Sequence, residues 1–198
     1  MIMRVVVGAV ASALCVSACT GSTPKPPQGT DSPTVTPTAP TPTPTPSPTL
    51  DLTVPPVAPE AMATPSADGA AAAATYFTQL YAYAYATADL TAWKAMSEPD
   101  CQFCENVING VTAMVAAGES DTSSAVAVFD SFGTEIDPGV AYSATVRANQ
   151  GPSERRDKAG NVISRGVGGD VELYFALAWR DGWFVREVDT KLLDSPTP

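Results

Sequence analysis

Cys101-Gln102-Phe103-Cys104 is the tightest grouping of reactive side chains in this 198-residue chain, and three chemistries are open to it. One is a small structural disulfide. Another is a redox pair at a helix N-terminus, where the dipole lowers a thiol pKa. The third is half of a zinc site, which needs two further ligands. The chain has 0 histidines, which removes the commonest zinc ligand, the commonest general base and every histidine-containing triad. A thioredoxin-like pair follows a strand in a βαβ unit, whereas this one follows a helical pattern. The reading therefore favours a disulfide, Cys101 to Cys104, that pins the loop after Pro99 to the next helix, with redox chemistry as its rival. So small a loop gains little from chain entropy.

The other candidates are weaker. Asp89, Asp130, Glu172, Glu187 and Asp189 could include one base of raised pKa, but nothing in their spacing picks one out. Each reads more simply as a cap or a solvated strand residue. Tyr76, Tyr83, Trp93, Tyr142, Tyr174, Trp179 and Trp183 could line an apolar pocket, and equally are the aromatics of an ordinary core, which is the favoured reading. Arg155, Arg156, Lys158 and Arg165 gather around one hairpin. They could meet envelope phosphates or a partner, but a solvated hairpin guarding a sheet edge is the simpler account. No catalytic residue, cofactor or metal ligand is assigned.

The compartment follows from the N-terminus. Met1–Arg4 carries one positive charge, Val5–Leu14 is apolar and uncharged, and small residues precede Cys19. These are the parts of a secretory signal, and the apolar run is shorter than the ~20 residues of a membrane-spanning helix. Val16-Ser17-Ala18-Cys19 resembles a bacterial lipobox, with Val16 in place of the more usual leucine. Cys15 is rejected because bulky Leu14 precedes it. The resemblance implies that residues 1–18 are a lipoprotein signal peptide and that Cys19 carries the lipid. The protein would then sit on the extracytoplasmic face of the cell membrane. An ordinary cleaved signal, with Cys19 incidental, is the alternative. Outside the cytoplasm closely spaced cysteines oxidise, which agrees with the disulfide. Of 21 acidic and 11 basic residues, cleavage removes Arg4, leaving 10 − 21 = −11. Such a chain repels nucleic acid and anionic headgroups. The expected membrane contact is thus the lipid on Cys19, and no nucleic-acid partner is expected.

Residues 19–65 read as a lipid-anchored, disordered Pro/Thr-rich linker. Of the chain's 19 prolines, 14 lie between Pro24 and Pro65, and proline denies both helix and sheet their amide donors. Extended polyproline chain covers about 3.1 Å per residue, so this stretch could act as a stalk of order 100 Å. Its Thr-Pro repeats are also candidates for O-glycosylation.

The folded part is read as residues 66–193, followed by a disordered tail at 194–198. Ser66 can cap a helix over Ala67–Ala88, which is rich in the best helix former. Its stripe is Tyr76, Phe77, Leu80, Tyr83 and Ala84. Asp89 can cap a second helix, Leu90–Met96. A third runs from the cysteines to Ala117, closed by Gly118, with Phe103, Cys104, Val107, Ile108, Val111, Met114 and Val115 on its core face. The period then changes to two. Strands are expected over Ser124–Phe132, Val140–Ala148, Val171–Arg180 and Trp183–Thr190, with turns at Asp137-Pro138-Gly139 and Asp181-Gly182. This is an α+β plan: three N-terminal helices packed on one curved, cone-like antiparallel meander of four to six strands.

That order is similar to the cone-shaped fold of the nuclear transport factor 2-like (SnoaL-like) superfamily. In addition, Pro59-Glu60-Ala61-Met62, Asp68-Gly69-Ala70, Tyr81–Tyr83, Trp93 and Cys101-Gln102-Phe103-Cys104 resemble a family of actinobacterial lipoproteins of unknown function. The first resemblance implies a pocket between helices and sheet. The second implies no activity. Fold analogy alone does not make an enzyme, so the reading is a non-catalytic binding or interaction module. Its partner would be an envelope protein or a small apolar ligand. The alternative is a small-molecule enzyme or apolar-ligand carrier that uses a carboxylate base in the cone pocket. Cys19→Ala is expected to abolish lipid labelling and release the protein from membranes; a variant that stays membrane-bound without detergent would remove the anchor from the account.

Overall fold

The computed structural model of the chain describes residues 51–122 and 125–193. The expected signal peptide, Cys19, the linker up to residue 50 and the tail at 194–198 lie outside the described residues. The elements run α1 (Ala67–Thr87), α2 (Thr91–Met96), α3 (Gln102–Ala116), β1 (Ser120–Asp121), β2 (Val126–Asp137), β3 (Ala141–Gln150), β4 (Ser153–Arg156), β5 (Val162–Gly166), β6 (Gly169–Trp179) and β7 (Trp183–Leu192).

Ser66 starts α1 as expected, its hydroxyl accepting the Gly69 N–H at 3.0 Å. The helix ends at Ala88, which takes the left-handed conformation (φ 63°) and returns its N–H to the Ala84 carbonyl. Along the core face Ala70, Ala73, Ala74, Phe77, Leu80 and Ala84 are buried, while Tyr76, expected on the stripe, is only partly covered. The small residues have a purpose. They let α1 lie close to β2, where a Cβ on Gly133 would stand 2.0 Å from the Ala67 carbonyl oxygen. The second helix begins one residue later than expected. Leu90 occupies its cap position, but the Asp89 carboxylate still accepts the Thr91 N–H at 2.9 Å. In α3 the buried positions are Cys104, Val107, Val111 and Met114. Val115, expected on that face, is exposed, because the helix turns its last face away from the sheet.

The folded region reaches back before Ser66. Glu60–Ala63 form a 3-10 turn, and Met62 packs against the core. The Met62 carbonyl accepts the Trp183 indole N–H at 2.9 Å. A Pro-rich composition hides this segment, since the contact that orders it is more than a hundred residues away in sequence.

The strands form two antiparallel sheets rather than one meander. A four-stranded sheet has the order β2-β3-β6-β7, and a three-stranded sheet has the order β1-β4-β5. The β4–β5 hairpin is an excursion between β3 and β6, which pair with each other from Ala141↔Ala178 to Gln150↔Gly169. Val146, Leu173, Phe175, Leu177 and Val185 present the buried face of the larger sheet, and the helices cover it. Its other face carries a row of alternating charge, Asp130↔Arg147↔Glu172↔Lys191, one residue from each strand. Opposite charges side by side across strands stabilise a sheet.

Gly133→Ala is expected to cost about 1–3 kcal/mol, as overpacking does, read as a lower midpoint of urea unfolding. An unchanged midpoint would mean that α1 can move off β2 freely.

Candidate functional site

Between the helices and the larger sheet lies a cavity of about 680 Å³, within the ~300–1,000 Å³ range of small-molecule sites. Its walls are aromatic. Phe77 and Tyr81 come from α1, Trp93 from α2, Phe103 from α3 and Phe175 from β6. Phe77 stacks on Trp93 with centroids 3.9 Å apart and 24° between planes, and meets Phe175 edge-on at 6.3 Å. Phe103 stands on the other side of Trp93 at 6.2 Å. Aliphatic Val126, Val171, Leu173 and Leu192 complete the walls, from the start of β2, the start of β6 and the end of β7.

The Trp93 indole N–H donates to the Cys104 carbonyl at 3.2 Å. That carbonyl lies in the first turn of α3, where Cys101 and Cys104 form a disulfide with an S–S distance of 2.02 Å. The Cys101 sulfur also accepts the Cys104 N–H. Both cysteines are buried. The loop that brings them in is fastened by the Glu98 N–H donating to the Val185 carbonyl at 2.9 Å. The expected disulfide is present, and it stands directly behind the wall of the cavity.

Polar groups reach the cavity at few points. The Thr78 hydroxyl is taken up by the Ala74 carbonyl at 2.8 Å. Tyr81 and Gln150 both line the cavity, and the Tyr81 hydroxyl pKa is pushed up to about 12, first by burial and then by Tyr85 and Asp121. Thr190 and Lys191 stand at the rim, beside exposed Leu192. Among the described lining residues there is no carboxylate and no thiol.

A second recess, of about 300 Å³, lies between α1 and the smaller sheet. It shares Tyr81 and Gln150 with the first, and otherwise its lining is polar: Tyr85, Asp121, Ser153, Arg155, Ser164 and Arg165.

The five candidate carboxylates are elsewhere. Asp89 is held below the usual carboxylate range by its hydrogen bonds to Thr91 and Tyr83. Glu172 is held low by the Tyr174 hydroxyl and then by Arg147, on the outer face of the larger sheet, where Asp130 also pairs with Arg147. Glu187 and Asp189 each accept the N–H of the following residue. A carboxylate base in the cavity, part of the alternative expectation, is therefore not among these residues. Each is drawn to a backbone donor or a strand neighbour instead.

Of the seven candidate aromatics, only Trp93 lines the cavity. Tyr142, Trp179 and Trp183 pack together in the other half of the sheet, at 4.9 and 5.2 Å. The Tyr83 hydroxyl donates to Asp89, and Tyr174 lies on the outer face. Phe175, Tyr81 and Gln150 are site residues that the sequence did not single out. Phe175 shares strand parity with Leu173 and Leu177, and this alternation was the available signal. The basic hairpin is not a free cationic patch. Arg155 faces Glu119 and Asp121, and Arg156 and Arg165 both pair with Glu154.

Burial favours the neutral Tyr81 phenol, so its contribution to stability is full below the ordinary tyrosine pKa of 10.0 and is lost as pH rises toward 12. An alkaline absorbance titration of the chain, minus that of Tyr81→Phe, is expected to show one phenol ionising near pH 12. A difference curve centred at 10 would mean that the hydroxyl is solvated.

No curated protein matches this chain. Solved structures similar to it in part include the following two. The intermembrane space region of the chloroplast protein ARC6 has 9% identity and a TM-score of 0.49, over 66% of this chain and 98% of that one. An uncharacterized protein with a cystatin-like fold from Caulobacter vibrioides has 15% identity and a TM-score of 0.43, over 64% and 91%. At family level the match spans residues 52–188, most of the described region, and the chain belongs to the family of unknown function DUF6318.

Proposed function

We propose that this protein is a lipid-anchored module on the extracytoplasmic face of the cell membrane, one that binds a small apolar molecule without transforming it. The carrying observation is the cavity of about 680 Å³ walled by Phe77, Trp93, Phe103 and Phe175. Such walls favour apolar matter by surface burial, and the described lining residues include no carboxylate and no thiol. The Val16–Cys19 pattern and the Pro/Thr-rich stretch after it support the anchor and the tether. Helices covering one face of an antiparallel sheet, with a cavity between, agree with a cone of the nuclear transport factor 2-like kind. The residues quoted between Pro59 and Cys104 support an origin among actinobacterial lipoproteins.

A second reading has its own observation. Phe129, Phe132 and Ile136 of β2 are exposed, and among the described strands β2 pairs only with β3. Large apolar side chains on a sheet edge suit an envelope protein partner.

Native mass spectrometry of the Cys19→Ala chain, collected after export from its host, tests the first reading. A reproducible extra mass of small-molecule size, lost on denaturation, is expected. A bare chain from several growth conditions would set the cavity aside and leave the β2 edge as the binding surface.

A further inference from the structure

The cavity and the polar recess are neighbours, and their common wall is Tyr81 and Gln150. These two side chains line both, so one polar pair divides an aromatic chamber from a hydrophilic one. The recess presents the hydroxyls of Tyr85, Ser153 and Ser164 beside the Arg155 guanidinium. Arg155 stands 3.7 Å from Glu119 and 4.0 Å from Asp121. Both contacts are ion pairs, so the guanidinium is screened by those carboxylates. Each cation that lines the recess already has a carboxylate beside it: Arg155 faces Glu119 and Asp121, and Arg165 pairs with Glu154. A ligand anion would have to compete with these carboxylates and would lose its hydration. A neutral group with oxygen acceptors and hydroxyl donors can be satisfied by these side chains.

We propose that the occupant is an amphiphile whose apolar chain lies in the cavity against Phe77, Trp93 and Phe175 and whose uncharged, hydroxyl- or ester-bearing head sits in the recess beyond Tyr81 and Gln150. This rests on the reading of the larger cavity as a ligand site. To pass from chamber to recess, the head moves between Tyr81 and Gln150 and meets their polar groups. The separating pair thus becomes part of the binding surface. The head group fixes the orientation of the ligand, and the chain supplies the buried area.

The test compares retention of radiolabelled monooleoylglycerol, oleate and octadecene by the exported Cys19→Ala chain on gel filtration. Monooleoylglycerol is expected to bind at least about tenfold more tightly than the other two, the ratio that one well-placed polar interaction gives. Arg155→Met is expected to erase that preference. The Ser153→Ala/Ser164→Ala chain is measured beside it, since Arg155 also faces Glu119 and Asp121 and its loss could disturb the fold. Equal retention of all three probes, unchanged in both variants, would overturn the head-group proposal and leave the apolar site standing. Tighter binding of oleate would overturn it in favour of an anion. Retention of none would remove the ligand site itself, and this inference with it.

Discussion

One indole organises the site. Trp93 is buried, lies flat against Phe77, and gives its single polar hydrogen to the Cys104 carbonyl. An indole N–H buried without an acceptor would cost on the order of 1–3 kcal/mol, so this hydrogen bond sets the orientation of the ring. The Cys101–Cys104 disulfide holds the turn that supplies the acceptor, and the loop before it is fastened to β7 through Val185. Cysteine pair, loop, short helix and aromatic wall therefore behave as one unit. The alanine-rich face of α1 closes the arrangement, because bulkier residues there would hold the helix away from Gly133.

Much of this was legible in the sequence. Helical periodicity and caps located all three helices within a residue or two, since both follow from local backbone chemistry. The Cys-x-x-Cys spacing announced the disulfide. What stayed hidden was non-local. Nothing near Met62 announces that its carbonyl will receive the Trp183 indole. The β4–β5 excursion reads locally as a charged hairpin, and its sheet forms only when Ser120 and Asp121 return to pair with Arg156 and Arg155. For the cavity, composition was misleading. Tryptophan and tyrosine were the candidates, whereas three of the five aromatic wall residues are phenylalanine, from positions that read as ordinary core. Gln150 gave no signal at all, because its role depends on Tyr81 lying across from it.

The two sheets divide the work. The larger one supplies an apolar inner surface and neutralises its outer surface with a cross-strand row of alternating charge. The smaller one contributes little core. It carries Glu119, Asp121, Glu154 and three arginines, paired among themselves, and stands next to the aromatic chamber. A polar annex thus adjoins an apolar one, with only Tyr81 and Gln150 between them.

The 3-10 turn at Glu60–Ala63 also gives the domain a polarity. Through Met62 it is joined to Trp183, the first residue of β7, while Leu192, the last residue of that strand, stands at the rim of the aromatic chamber. Ten residues of strand separate the two points, roughly 30 Å at ~3.3 Å per residue. The 3-10 turn and the rim thus mark opposite ends of β7. A solute that enters by the rim does so at the end of the strand remote from the turn.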